Sequence, residues 1–300
     1  MTPPPEAIRI ADTHTDLMDA AGRRSLKVIE LVPVAYRRVE ESMSFLDELL
    51  EPHKLDCEPG CSMCCNLQVA MQPAEVFHLV RVVRERFTPE QIDTLKGRMR
   101  DVVAKTEGFT VETRPNVPCP FLHETLGVCS VYDSRPFTCR QFGSWNKESC
   151  NDCFNGQGNN NVGIIPRAAS MMFVAQAGGT AVAHYADEKA VTGDMVEMNR
   201  AMLMALEEPT LEERWERGDR VFGGIYIDDE ATRYNNRMLL RETRNRFSRP
   251  FVLELLKMSL RAETQHLEAR PTDRREEADQ LKAKAAAGEI TATDFITTRK

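Results

Sequence analysis

Apolar residues recur at helical spacing through much of the chain. Met43, Leu46, Leu49 and Leu50 share one face of a segment that reads as helix from 16 to 51. Pro33 is expected to interrupt that segment and Pro52 to end it. Residues 1–15 read as a proline-rich tail. The stretch after Cys65 suits a short strand, and Pro73 suits a helix start. Val76, Leu79, Val80 and Val83 then follow at i, i+3, i+4 and i+7. Thr88, Pro89 and Gln91 form a capping-box signature for the next helix. Its buried stripe is expected to be Ile92, Leu95, Met99, Val102 and Val103, with Gly108 as the stop.

The pattern fails between 114 and 160. Pro115, Pro118, Pro120, Gly127, Pro136, Gly143, Gly156 and Gly158 break any long periodic element. Helical periodicity returns from about 165 to 208. It predicts two helices separated near Gly178-Gly179, with Met171, Met172, Met195, Met198, Met202 and Met204 packing a core rather than binding copper. A further helix is expected over 228–262, and a frayed or disordered charged tail from 268. These elements predict a mainly α protein with an irregular cysteine-rich metal-binding centre. The chain divides into an N-terminal tail and helix (1–55), a cysteine-cluster domain (56–160) and a C-terminal helical region with a charged tail (161–300).

With 300 residues, 42% apolar and 28% charged, the chain can build a core without help from a metal. A net charge of −7 argues against broad nucleic-acid binding, which rests on positive charge. The start has neither a basic nor an apolar signal region, and no stretch approaches the roughly 18 apolar residues of a membrane helix. A cytoplasmic protein is expected. In that reducing setting grouped cysteines point to metal or catalysis rather than disulfides.

All nine cysteines fall between 57 and 153. Cysteines used as small core residues would scatter over the whole chain. Cys61 and Cys64 form C-x-x-C, which lets one turn offer two thiolates to one ion, with Pro59-Gly60 supplying a bend. Cys119, Cys129 and Cys139 are the natural suppliers of the remaining ligands. Thiolates select zinc, copper(I) or iron–sulfur clusters over magnesium or calcium. Adjacent Cys64 and Cys65 point apart on a normal backbone, so one of them serves a second metal, bridges two, or is buried. Cys57, Cys61, Cys64, Cys65, Cys119, Cys129 and Cys139 exceed the needs of one four-thiolate site.

Arg135 and Arg140 flank Cys139, where a guanidinium would donate to bound sulfur; a surface position is the alternative. Cys150 and Cys153 form a second C-x-x-C, open to ligation, to plain thiols or to redox chemistry. The surrounding SWNKESCNDCFNGQGNNN offers neither the strand nor the helix that a redox motif wants. The two C-x9-C intervals at 119–139 fit a disulfide-bonded helical hairpin poorly, because Pro120, Gly127 and Pro136 spoil the helices. His78 and His123 are weak ligand candidates. An arginine row from Arg233 to Arg249 reads as a solvated face.

CEPGCSMCC, followed by PCPFLHETLGVCSVYDSRPFTCRQF at 118–142, resembles the YkgJ-type cysteine-cluster family. The matching positions are Cys61, Cys64 and Cys65, then Cys119, Cys129 and Cys139 with Arg135, Pro136 and Arg140. Cys57 takes the first cysteine position, three rather than two residues before Cys61. The resemblance implies chelation of zinc or iron, an iron–sulfur cluster included, and names no reaction. Flagellin lysine N-methylases are similar in the same cysteine group. The expected function is metal binding through thiolates. An iron–sulfur enzyme modifying a protein, and a metal-stabilised module meeting a protein partner through its C-terminal helices, are the alternatives.

Overall fold

The computed structural model describes residues 12–49, 55–57, 60–109, 114–123, 125–155, 165 and 168–227. The helix expected at 228–262, the arginine row and the charged tail lie outside the described residues.

Helix α1 (Thr13–Arg24) ends where Ser25 turns left-handed at φ 48°, its N–H reaching back to the last turn. Helix α2 (Val28–Leu49) then runs straight through Pro33, so the expected interruption falls at Ser25 instead. Pro33 forfeits one intrahelical hydrogen bond. Leu31, Val32, Ala35, Tyr36 and Val39 around it are almost wholly buried, and that burial outweighs the loss.

A two-residue strand β1 (Ala70–Met71) leads into α3 (Pro73–Arg86) and α4 (Pro89–Thr106). Val76, Leu79, Val80 and Val83 are buried as their spacing requires. The Thr88–Gln91 capping box forms, with Thr88 Oγ1 accepting from the Gln91 N–H and Gln91 Oε1 from the Thr88 N–H. Gly108 follows the end of α4 at φ 79°. Two short helices, α5 (Phe137–Arg140) and α6 (Lys147–Asn155), punctuate the irregular stretch. Residues 147–155 were expected to lack a helix. The asparagine- and glycine-rich run after 155 hides the short helical period before it.

Helix α7 (Ala169–Glu188) passes unbroken through Gly178-Gly179. The expected separation is absent because these glycines serve packing. A Cβ on Gly178 would lie 2.5 Å from Val39 and 2.8 Å from Phe137. The chain breaks later, before strand β2 (Val196–Glu197) and helices α8 (Met198–Glu207) and α9 (Leu211–Glu216). Strands β1 and β2 pair antiparallel, with Ala70 opposite Glu197 and Met71 opposite Val196.

Helices α1 and α2 pack against α7, while α3 and α4 pack against α8, and α2 meets α3 between the two groups. Met198 and Met202 are core residues, as expected, and Phe77 stacks with Trp215 and Phe222. The fold is mainly helical. Among the described residues no helix is long and apolar enough to cross a membrane.

Candidate metal centre

The cysteine segment is laid against this scaffold by polar clamps. Glu75, in the first turn of α3, is 1% exposed. Its carboxylate accepts from the Gln72 and Phe137 N–H groups and from the Tyr36 hydroxyl, each at 2.9 Å. Burial raises its pKa and the three donors offset part of that rise. Arg140 is fully buried. It donates to the carbonyls of Arg135 and Asp133, pairs with Glu40, and stacks over the Tyr36 ring at 4.4 Å. Burial lowers its pKa to about 10, so it stays charged at neutral pH. Arg140 is therefore spent on carbonyls, a carboxylate and a ring. The expectation that it donates to sulfur is corrected: α5 points it back at the scaffold.

Three backbone segments carry the thiols. A 3-10 turn (Met63–Asn66) holds Cys64 and Cys65. A hairpin built on the Leu122–Cys129 bridge carries Cys119 and Cys129 at its base. Cys139 sits in α5. The Cys119 N–H donates to the Cys65 carbonyl at 2.8 Å, and Arg114 donates to the Asn66 carbonyl at 3.0 Å, so hairpin and turn are stitched together. Gly60 and Gly127 take φ of 91° and 65°. A Cβ on Gly127 would lie 3.2 Å from the Gly60 carbonyl oxygen, so both loops need glycine where they meet.

The thiols of Cys64, Cys119, Cys129 and Cys139 lie within electrostatic reach of one another in every pairing. Burial pushes Cys119 up to about 12 and raises Cys129 and Cys139. A hydrogen bond with Cys65, then burial, raises Cys64. Against this, the N–H two residues downstream donates to sulfur twice: Phe121 to Cys119 and Val131 to Cys129. Such donors favour thiolate over thiol. The Arg135 charge favours thiolate at Cys64, Cys129 and Cys139, and Arg114 does so at Cys119. Arg135 lies over the Tyr132 ring at 4.0 Å and pairs with Glu40 at 3.9 Å, and among the described residues its buried Nε–H has no hydrogen-bond acceptor.

Cys57 and Cys61 precede the turn that carries Cys64. The Ser144 N–H donates to Cys57 Sγ at 3.2 Å, and the Asp56 N–H donates to the Ser144 carbonyl at 3.0 Å. Cys57 lies near Cys61, Cys64 and Cys150, and desolvation first of all pushes it up to about 11. Cys150 is buried in α6, which packs on the 63–66 turn. The side chain of Cys153 lies outside the described residues.

Neither histidine candidate joins the thiols. His123 is exposed, and its Nδ1 accepts from the Leu126 N–H at the hairpin turn. His78 stacks edge-on to Tyr36 at 5.6 Å, and burial lowers its pKa to about 4. Among the described residues no three donors close around one point as their side chains stand. A thiol moved off its preferred rotamer costs about 1 kcal/mol, small beside apparent binding energies of about 10–16 kcal/mol for structural zinc. The donor set fits a soft metal: four gathered thiols, backbone N–H groups aimed at sulfur, and a guanidinium N–H awaiting an anionic acceptor.

Residues 56–155 match the family model CxxCxxCC, described as "Putative zinc- or iron-chelating domain". The match falls on the cysteine segment that resembles this family. No curated protein and no solved structure matches the chain. The CxxCxxCC match takes in both thiol-bearing loops, α5 and α6, and leaves the flanking helices uncovered. Metal chelation is the function this family description carries.

Sequence reasoning missed Arg114, Glu75, the paired glycines and the downstream N–H donors. Arg114 precedes Pro115 in a stretch with no period, so nothing marked it as buried. The N–H donors were legible in principle, since C-P-F and C-S-V each place one two residues after a cysteine.

Proposed function

We propose that the protein binds a dipositive centre, zinc or iron, through Cys64, Cys119, Cys129 and Cys139, with Arg114 and Arg135 beside the sulfurs. The mutual approach of these four thiols carries the reading. Four thiolates bring four negative charges; a dication and the two guanidiniums return four positive ones, so a buried centre of this kind is neutral. An iron–sulfur core of charge +2 satisfies the same sum, and so remains part of the reading. Such a centre would hold the hairpin, the 3-10 turn and α5 together from within. The thiol chemistry suits a reducing compartment, the cytosol.

The test is purification without oxygen, followed by measurement of bound metals, inorganic sulfide and visible absorption. Zinc without colour identifies a structural or chelating ion. Brown protein with sulfide identifies an iron–sulfur centre and favours the enzyme alternative. The double variant C119S/C139S should lose the metal of this group. Unchanged metal content in that variant, with its helices intact by circular dichroism, sinks the assignment.

A further inference from the structure

We propose that the groove between α4 and the cysteine hairpin is a binding site for a small organic carboxylate with an apolar body. None of the groups it uses is a thiol, so it stands apart from the metal reading.

The groove holds about 420 Å³, and its walls come from two elements separated in sequence. One wall is the first half of α4, where Gln91, Thr94, Leu95 and Arg98 share a face at helical spacing. The other is the hairpin strand from Pro120 to His123. A space of this size lies in the range of about 300–1,000 Å³ that takes small molecules. Its floor is apolar. Leu95 is 4% exposed and Phe121 3%, while Phe87 and Leu122 are half-buried. An apolar ligand body laid on that floor leaves water, which favours binding without fixing an orientation.

The polar groups of the walls set the orientation and the charge. Half-buried Arg98 reaches across from α4, its guanidinium donating to the Pro120 carbonyl at 3.5 Å. That length is the outer limit of a hydrogen bond, and the acceptor is neutral. A guanidinium fork matches two charged oxygens, so a carboxylate entering beside Pro120 is the better partner. Arg86, on the same groove, shows that pairing: it holds both oxygens of Asp133 at 2.8 Å each, and its charge is spent there. Glu90 also lines the groove, but about 12 Å from Arg98 along the α4 axis. That exceeds the roughly 8 Å screening length at physiological salt, so Glu90 does not decide the sign at Arg98. On the hairpin wall the Leu126 N–H donates to His123 Nδ1 at 3.3 Å, which puts the ring proton on Nε2. His123 is therefore a donor as well, suited to a second acceptor on the ligand. An apolar floor with guanidinium and imidazole donors above it selects an anion that carries a hydrocarbon body, rather than a bare ion or a neutral hydrocarbon.

The test titrates the full chain, as purified, with phenylacetate and with its uncharged amide, phenylacetamide. Calorimetry reads affinity and backbone amide NMR shifts read the place. Phenylacetate should bind and shift the amides of Leu95, Arg98, Phe121 and Leu122, and phenylacetamide should bind about tenfold more weakly. R98Q should lower phenylacetate to the affinity of the amide. Because R98Q also gives up the Pro120 contact, T94W is the companion variant. Thr94 is exposed and its hydroxyl donates to the Glu90 carbonyl one turn back, so an indole there fills the groove without entering the core. T94W should keep wild-type circular dichroism and metal content and lose both ligands. No binding of phenylacetate near its solubility limit, shifts confined to other parts of the chain, or wild-type binding by T94W would overturn the site. Equal affinity for acid and amide, or undiminished binding of the acid by R98Q, would overturn the carboxylate as its ligand.

Discussion

The helical scaffold and the cysteine segment are held together by different forces. Between α1, α2 and α7 the contacts are mostly apolar: Leu17, Ala21, Val32, Val39, Ala181 and Val182 are at most 1% exposed. Burial of this kind is non-directional and spread over many residues, so no single one decides it. From 114 to 146, among buried Val117, Phe121, Val131, Phe137 and Trp145, four polar side chains are also buried: Arg114, Ser134, Arg140 and Ser144. Each depends on named partners, and loss of one leaves others unsatisfied. The scaffold should therefore tolerate gradual change, whereas the cysteine segment should fail abruptly at a few polar positions.

The largest expected effect is at Arg140. Replacing it with methionine, R140M, keeps the volume and removes the donors. The carbonyls of Arg135 and Asp133 lose their partner, Glu40 loses its cation, and Tyr36 its stacked charge. Removing one side of such a buried group costs about 3–5 kcal/mol, and the half-exposed Glu40 places the cost near the lower end. Urea unfolding should show that loss together with reduced metal content, while far-ultraviolet dichroism of the folded variant stays unchanged. If R140M keeps wild-type stability, the polar clamp does not organise the segment.

The scaffold has its own polar weak point. His14 on α1 and His184 on α7 share a hydrogen bond of 2.8 Å between Nε2 and Nδ1, with rings edge to face. Burial first, then the His184 charge, lowers His14 to about 4 from 6.5. The folded pKa lies below the unfolded one, so this stabilisation is whole above pH 6.5. It drains as pH falls from 6.5 towards 4, because the unfolded chain takes up the proton first. The full swing is at most about 3 kcal/mol. Between those limits wild type should lose stability more steeply than H14Q, and carboxylates common to both cancel in the difference. Parallel pH profiles would remove His14 from the account.

Much of this division could be read from the residues. Val76, Leu79, Val80 and Val83, and the Thr88–Gln91 box, announced α3 and α4 because local pattern and tertiary packing agree there. The two cysteine loops paired by the spacing do meet, since the Cys119 N–H donates to the Cys65 carbonyl. Glycine and arginine misled. Gly178-Gly179 reads as a breaker, yet its role depends on Val39 and Phe137, which lie far away in sequence. Arg140 sits beside Cys139 in the chain but faces Tyr36 and Glu40 in space. Both errors have one source: sequence proximity fixes what a residue can do locally, whereas the partners that use it are long-range.

The smallest expected effects compare two glycines inside helices. Gly178 faces Phe137 of α5, so G178A forces a Cβ to 2.5 Å from Val39 and 2.8 Å from the ring. Overpacking of this kind costs about 1–3 kcal/mol. The strain falls on the seam between α7 and α5, so some of it should appear as weaker metal retention at Cys139. Gly97, in α4, has nothing within 4 Å of its would-be Cβ. G97A should therefore stabilise by about 0.5–1 kcal/mol through helix propensity and a less flexible unfolded chain. Thermal unfolding of the two variants side by side checks the pair. If G178A is neutral or stabilising like G97A, the glycine is not a packing contact and the seam between scaffold and cysteine segment is loose.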